Sequence, residues 1–337
     1  MVSSPLAGAA VLVTGGAGFI GSHLVDALVA RGARVSVLDD LSTGRAENLA
    51  HHGEVERLTK DLRDPEACAA ACRDVEIVFH QAALGSVPRS LADPATTIAV
   101  NVAGTATLFA AARDAGVRRV VYASSSSVYG TSPELPKREG QEGAPLSPYA
   151  TSKSMCEDLA AVFGRCFGLE MIGLRYFNVY GPRQRPDGPY AAVVPRFVAA
   201  ALDGLPPVIY GDGEQSRDFT WVGDAVQANL LAATAPAAAV GRAFNVAGGR
   251  RVDLLELARR VRDAAGGGPE PRHEAPRPGD VRHSLASLEA VEEALGYLPT
   301  ISLADGIRAT LEHARRVAAV STNAAASRIA AGSTATG

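Results

Sequence analysis

Short apolar runs recur through the first half of the chain, each stopped by glycine or by acidic or small polar residues. Residues 9–14, AAVLVT, form the first and end at glycines; a continuous run of this length suits a strand buried on both faces. RVSVLDD (34–40), VEIVFHQAA (75–83), RRVVYASSS (118–126) and EMIGLRYFN (170–178) repeat the pattern. Between the first two runs, GFIGSHLVDALVARG places Ile20, Leu24 and Leu28 on one helical face and stops at Gly32. Residues 98–115 read as another helix. Strand and helix therefore alternate to about residue 180. This predicts an α/β Rossmann-type fold, a doubly wound parallel sheet with ligands at the carboxyl ends of its strands.

After Asn178 the pattern breaks. VYGPRQRPDGPYAAVVP (179–195), DGLPPVIYGDGEQSRDFTWVGD (203–224) and EAPRPGDVRHS (274–284) are rich in Pro, Gly and Asp. They read as long loops, which in compact proteins usually bind something. The expected organisation is a first domain over 1–180, with about 218–248 returning to it. A smaller lobe covers 181–316. The tail 317–337 offers little to bury and reads as disordered.

Composition narrows the function. The net charge is −3 with both signs mixed, so nucleic acid is not an expected partner. No apolar run approaches a membrane span, and the first residues lack a signal-peptide pattern. Cys68, Cys72, Cys156 and Cys166 have no histidine at metal spacing, so a cytoplasmic protein with free thiols and no metal is expected.

Gly15, Gly18 and Gly21 form TGGAGFIG between the first strand and the first helix. Such a loop lets backbone approach a pyrophosphate seated on the helix N-terminus. Asp39, ending the second strand, can accept from the adenosine ribose hydroxyls and repel a 2′-phosphate, so NAD is favoured over NADP. Asp61 and Leu62 suit the adenine edge.

Only three of the 33 basic residues are lysines, and one, Lys153, stands four residues after Tyr149 in SPYATSK. At that spacing the two share one face of a helix that starts at Pro148. A free tyrosine is only about 0.1% ionised at neutral pH. An ammonium and a nicotinamide ring nearby both favour the phenolate; lowering its pKa to about 7 takes roughly 4 kcal/mol. In YASSSSVYG a strand ends in Ser124 to Ser127, where hydroxyls face the ligand crevice.

TGGAGFIGSHL, FHQAALGSVPRS, SSSSVYG, SPYATSK, LRYFNVYGPRQ, GDGEQSRDFTWV and RPGDVRHSLA occur in one order. The chain resembles the extended short-chain dehydrogenase/reductase family over about residues 8–315, and within it the NAD-dependent UDP-sugar 4-epimerases. AALGSVPRS and RPGDVRHS look most like the subgroup acting on UDP-N-acetylhexosamines. The resemblance implies catalytic roles for Ser125, Tyr149 and Lys153. It implies cofactor contacts from Gly15, Gly18, Phe19, Ile20, Asp39, Asp61, Leu62, Gln81, Ala82, Ala83 and Asn101. It assigns the UDP-sugar to Ser86, Ser126, Ser127, Asn178, Val194 and Arg217, with Arg277 or Arg282 on the pyrophosphate and Asp280 beside them.

The expected reaction removes the 4-hydroxyl proton and the C4 hydride, turns the 4-keto sugar over, and returns hydride to its other face. A sugar 4,6-dehydratase is the rival, but Ser126 and Ser127 stand where such enzymes usually carry Asp-Glu. By the same resemblance Ser284 gates the C2 substituent, and a serine leaves room for an N-acetyl group. Arg185 instead resembles an arginine that pairs with the carboxylate of UDP-glucuronate. The family usually dimerises through two helices, and Ala106, Leu108, Ala110, Ala111, Leu159, Ala160 and Phe163 are the expected seam.

Overall fold

A computed structural model describes residues 5–188, 191–276 and 282–333. The chain packs as two units. The first comprises Met1–Val179, Ser216–Arg251 and Pro278–Thr300; the second comprises Tyr180–Gln215, Val252–Arg277 and Ile301–Gly337. The first unit thus recovers two later segments, where the sequence suggested one.

In the first unit, strands β1 (Ala10–Thr14), β2 (Arg34–Leu38), β3 (Glu56–Leu58), β4 (Ile77–His80), β5 (Arg119–Ser125) and β6 (Glu170–Tyr176) join the strand Arg242–Val246. They form one seven-stranded sheet with Arg242–Val246 at one edge, followed by β6, β5, β4, β1, β2 and β3. Every pairing in it is parallel; Val11, for example, lies between Val35 and Ile77. Parallel strands covered on both faces read as near-continuous apolar runs, and β1 is buried at every position, with only Thr14 polar. Val11 and Val13 pack on one face with Leu24, Val25 and Leu28 of α1 (Phe19–Val29) and with the helix Val222–Ala233. Leu12 points to the other face, among Cys68 of α2 (Pro65–Ala71), Leu108 and Phe109 of α5 (Gly104–Asp114), and Ala160 of α6 (Pro148–Phe167). The chain leaves β1 for β2 on one side and β4 takes the other side. That reversal opens the crevice in which doubly wound sheets bind ligands.

Between β4 and α5 the chain forms α3 (Val87–Ala92), α4 (Pro94–Ile98) and a π-helical stretch Ala99–Ala103, continuous with α5. The resulting helix Pro94–Asp114 has the length and composition of a membrane span. Its polar Thr97, Asn101 and Thr105 are buried and bonded inside the domain, so it is a core helix. Leu108 and Ala160 also lie in this core, which corrects their assignment to a dimer seam. Met155, Val162 and Phe167 are the exposed apolar residues of α6.

The second unit contains the helices Val193–Leu202, Leu254–Ala265 and Leu303–Ser333, with a parallel pair of strands, Val208–Tyr210 and Arg272–Glu274. Helix thus replaces part of what read as loop. The last helix runs through most of the expected disordered tail. Small residues argue against a packed core, but alanine also has the highest helix propensity.

Candidate active site

The carboxyl ends of β1, β2, β4 and β5 open into a cleft of about 290 Å³ within the first unit. Gly15, Gly18, Phe19, Ile20, Asp39, Asp61, Leu62, Gln81, Ala82, Ala83, Tyr149 and Lys153 line it. Gly15 has φ +68°, and a Cβ there would lie 2.7 Å from the Ala82 nitrogen. A Cβ on Gly21 would lie 2.1 Å from the Gly15 oxygen. Only glycine permits this closure. Helix α1 begins at Gly18 with no side-chain cap and no acid in its first turn, a start suited to a diphosphate.

The Asp39 carboxylate is itself anchored. One oxygen accepts from the Ala17 amide at 2.9 Å, the other from the Leu41 amide at 2.8 Å. Burial pushes its pKa above the ordinary carboxylate value, and these two amides pull against that. A carboxylate has about four lone-pair sites, so acceptors remain for ribose hydroxyls. Asp61 accepts from the Arg63 guanidinium at 2.5 Å, and the cation holds it below its ordinary pKa. On the opposite wall Tyr176, Gln81 and Asn229 close a ring: Tyr176 donates to Gln81 at 3.2 Å, Gln81 to Asn229 at 3.0 Å, and Asn229 to Tyr176 at 2.7 Å. Sequence reasoning missed Tyr176, although it ends β6 in the phrase LRYFN.

Helix α6 starts where expected. Ser147 caps it by accepting from the Ala150 amide at 3.1 Å, and Pro148 opens the first turn. Tyr149 and Lys153 consequently reach the cleft together. The buried Lys153 ammonium donates to the Ala123 carbonyl at 2.8 Å, which ties it to β5. Ser125, the last residue of β5, accepts from the Ser127 amide at 3.2 Å. The Ser127 hydroxyl is buried and has no hydrogen-bond partner; Ser126 beside it is half-buried.

One expectation changes here. The Ser124 hydroxyl is taken by Glu157 at 2.5 Å, so it does not present its donor to the crevice. Asn101 lies beneath the cleft wall, 1% exposed. Its carboxamide bonds the Leu84 amide at 2.8 Å and the Ser152 hydroxyl at 3.0 Å, and Ser152 donates to the Tyr149 carbonyl at 2.7 Å. Buried amides are normally hydrogen-bonded, and these contacts make Asn101 a splint between α6 and the chain at Leu84. His80 sits below it, between the Thr14 and Thr105 hydroxyls at 2.7 and 2.9 Å. Burial, reinforced by the Lys153 charge, lowers its pKa to about 3, so it stays neutral.

The residues expected at the UDP-sugar are more scattered. Asn178 donates to the Asp218 carbonyl at 3.0 Å. The Arg217 guanidinium donates to the Ser216 and Arg282 carbonyls at 3.0 and 3.2 Å. The Ser284 amide donates to Ser216 O at 3.0 Å. This segment therefore gathers Arg217, Arg282 and Ser284. Ser86 caps α3 by accepting from the Arg89 amide at 3.2 Å. In the second unit, Val194 is buried in its helix, and the exposed Arg185 pairs with Asp187 at 2.6 Å. Arg277 and Asp280 lie outside the described residues.

Residues 11–247 match the NAD dependent epimerase/dehydratase family. The UDP-glucose 4-epimerase of Mycolicibacterium smegmatis is 43% identical over 310 residues, covering 90% of this chain and 98% of its own. A solved structure of Thermotoga maritima UDP-glucose 4-epimerase with UDP-glucose superimposes with a TM-score of 0.87 at 37% identity, over 91% of this chain and 99% of that one. The UDP-N-acetylglucosamine 4-epimerase of Methanobrevibacter ruminantium, bound to UDP-N-acetylmuramic acid, gives the same TM-score at 39% identity, over 91% and 98%. The chain belongs to the NAD-dependent epimerase/dehydratase family, within the extended short-chain dehydrogenase/reductases. The glycine cradle, which any Cβ would fill, and the doubly anchored Asp39 fit an unphosphorylated dinucleotide.

Proposed function

We propose that this enzyme inverts C4 of a UDP-linked sugar through a transient 4-keto intermediate, with N-acetylglucosamine/galactosamine as the preferred pair and UDP-glucose as a secondary substrate. The observation carrying this reading is the sharing of one cleft by Tyr149, Lys153, the glycine loop and Asp39. When bound, NAD supplies an acceptor for the C4 hydride and then the donor that returns it. Tyr149 takes the proton from the 4-hydroxyl and later gives it back. Lys153, held by Ala123 O, keeps a positive charge one helical turn away and favours the phenolate. Ser125 holds the sugar oxygen. The unpartnered Ser127 hydroxyl is a natural contact for a second sugar hydroxyl, because a buried donor costs free energy until it is paired.

Ser284 supports the N-acetylhexosamine assignment through its small side chain. A uronic acid ranks second, because Arg185 already has a carboxylate partner in Asp187. A homodimer fits the exposed Met155, Val162 and Phe167 of α6, and light scattering showing only monomer at micromolar concentration overturns it. Incubation with UDP-N-acetylglucosamine, UDP-glucose and their uronic acids, read by NMR, tests the reaction. Inversion at C4 is expected. Loss of one water from the product points to a dehydratase instead, and no change in any sugar rejects the proposal.

A further inference from the structure

Away from the cleft, among the described residues, one group of three potential metal-binding side chains converges: Asp26, His51 and His52, with their nearest ligand atoms all within 4.8 Å of one another. Asp26 projects from α1. The two histidines follow the short helical turn Ala46–Leu49. His51 Nε2 lies 2.9 Å and His52 Nε2 2.8 Å from the same Asp26 oxygen. The loop holding them is fixed by its backbone: the His52 amide donates to Leu49 O at 3.0 Å, and Arg57 donates to the His52 carbonyl.

The surroundings of His52 narrow the chemistry. Its Nε2 faces Asp26, and its Nδ1 lies 3.4 Å from a Glu54 carboxylate oxygen. A neutral imidazole carries one N–H, so one of its nitrogens would turn a lone pair towards an acid. Two states match both neighbours. One is the imidazolium. The other is a metal ion on Nε2 with the Nδ1 proton donated to Glu54, the carboxylate–histidine–metal arrangement that orients a ligand and raises its basicity.

We propose that Asp26, His51 and His52 bind a divalent ion of the zinc class, with Glu54 as the outer partner of His52. Two imidazoles and a carboxylate are the donors that Zn²⁺, Co²⁺ and Ni²⁺ prefer. Bonds of about 2.0–2.2 Å at tetrahedral angles hold ligand atoms about 3.3–3.5 Å apart, so binding draws both imidazoles back by about half an ångström from the Asp26 oxygen they now approach at 2.9 and 2.8 Å, and water completes a tetrahedron. The same loop reaches the cofactor cradle: the Arg45 amide and the Asn48 side chain donate to Ala17 O at 3.0 and 2.8 Å. The ion therefore clamps the cradle's flanking segment to α1.

The test is titration of the chelator-treated full-length protein with ZnCl₂ by calorimetry and with CoCl₂ by visible absorption. One equivalent per chain, an intense tetrahedral cobalt band and a rise in melting temperature are expected. His51→Ala and Asp26→Asn should each abolish the band and the shift while leaving turnover in metal-free buffer unchanged. Glu54→Gln should weaken binding about tenfold. If zinc binds but His51→Ala leaves affinity and stoichiometry unchanged, the ion sits elsewhere and the proposal fails. If neither zinc nor cobalt binds the wild-type protein, the cluster holds only its histidine–aspartate contacts and the metal assignment is wrong.

Discussion

Glu157 and Arg175 meet in a two-pronged ion pair, with nitrogen–oxygen distances of 2.9 and 2.7 Å. The pair stands two turns beyond Tyr149 on the same face of α6, under the end of β5. Glu157 also accepts from Ser124. Arg175 reaches Glu142 and the Tyr129 hydroxyl, and Tyr129 donates to Asn245 at 2.7 Å. The strand end that carries Ser125 is thereby fastened to the helix that carries Tyr149. Glu157→Gln should cost about 1.5–3 kcal/mol of stability. Arg175→Met, which removes the buried cation from the half-buried Glu157 carboxylate, should cost up to about 3–5 kcal/mol. Chemical denaturation measures both, and equal, negligible effects would mean the pair is incidental.

Tyr149→Phe should lower turnover by orders of magnitude while UDP-sugar affinity survives, because only the reacting oxygen is removed. Rapid-quench turnover and calorimetric binding separate the two. Near-normal activity in this variant sinks the mechanism.

Gly21→Ala should damage the cofactor site. The new methyl would meet backbone, the Gly15 oxygen, and not a movable side chain. Forcing that contact should cost about 1–3 kcal/mol or more and release bound NAD. Cofactor absorbance after gel filtration is the check, with Gly53→Ala, where a Cβ meets nothing within 4 Å, as control.

Asp218 should make stability depend on pH. Burial raises its pKa from 3.8 to about 6, against amide bonds from Ala286, Arg250, Gly248 and Gly249. A folded-state pKa above the unfolded value means the native state holds the proton more tightly. Its contribution is therefore full below about pH 4 and is lost as pH rises through about 6. At about 1.4 kcal/mol per pH unit, the loss amounts to a few kcal/mol. The melting temperature of wild type minus that of Asp218→Asn should fall across this window; a flat difference refutes the assignment.

Ser284→Tyr should abolish turnover of UDP-N-acetylglucosamine and spare UDP-glucose. Equal loss on both, or on neither, means that Ser284 does not gate the C2 substituent.

Local patterns made much of this site readable. The glycine loop, Asp39 and the Tyr149/Lys153 pair each lie within one strand–turn or one helical turn, where spacing translates directly into geometry. Glu157, Arg175 and Asn245 were not readable, because the sheet brings together residues separated by tens of positions. Burial decided the rest. Ser124 stands in the serine run at the end of β5, but its hydroxyl is taken by Glu157. Leu108 and Ala160 have the apolar character of an interface and are consumed by the core. The helix Leu303–Ser333 has little apolar periodicity to signal it and rests on alanine's preference for the helical backbone.

The anchoring of Asp39 ties cofactor choice to loop architecture. An acid that merely repelled a phosphate could be exchanged for a neutral residue in one step. Here the same two oxygens hold the Ala17 amide and the Leu41 amide, and Leu41 occupies a left-handed backbone conformation at φ +59°. Replacing the acid therefore loosens the turn that would have to receive the new phosphate. Admitting a 2′-phosphate at this position therefore means rebuilding the brace on residues 17 and 41 as well as removing a charge.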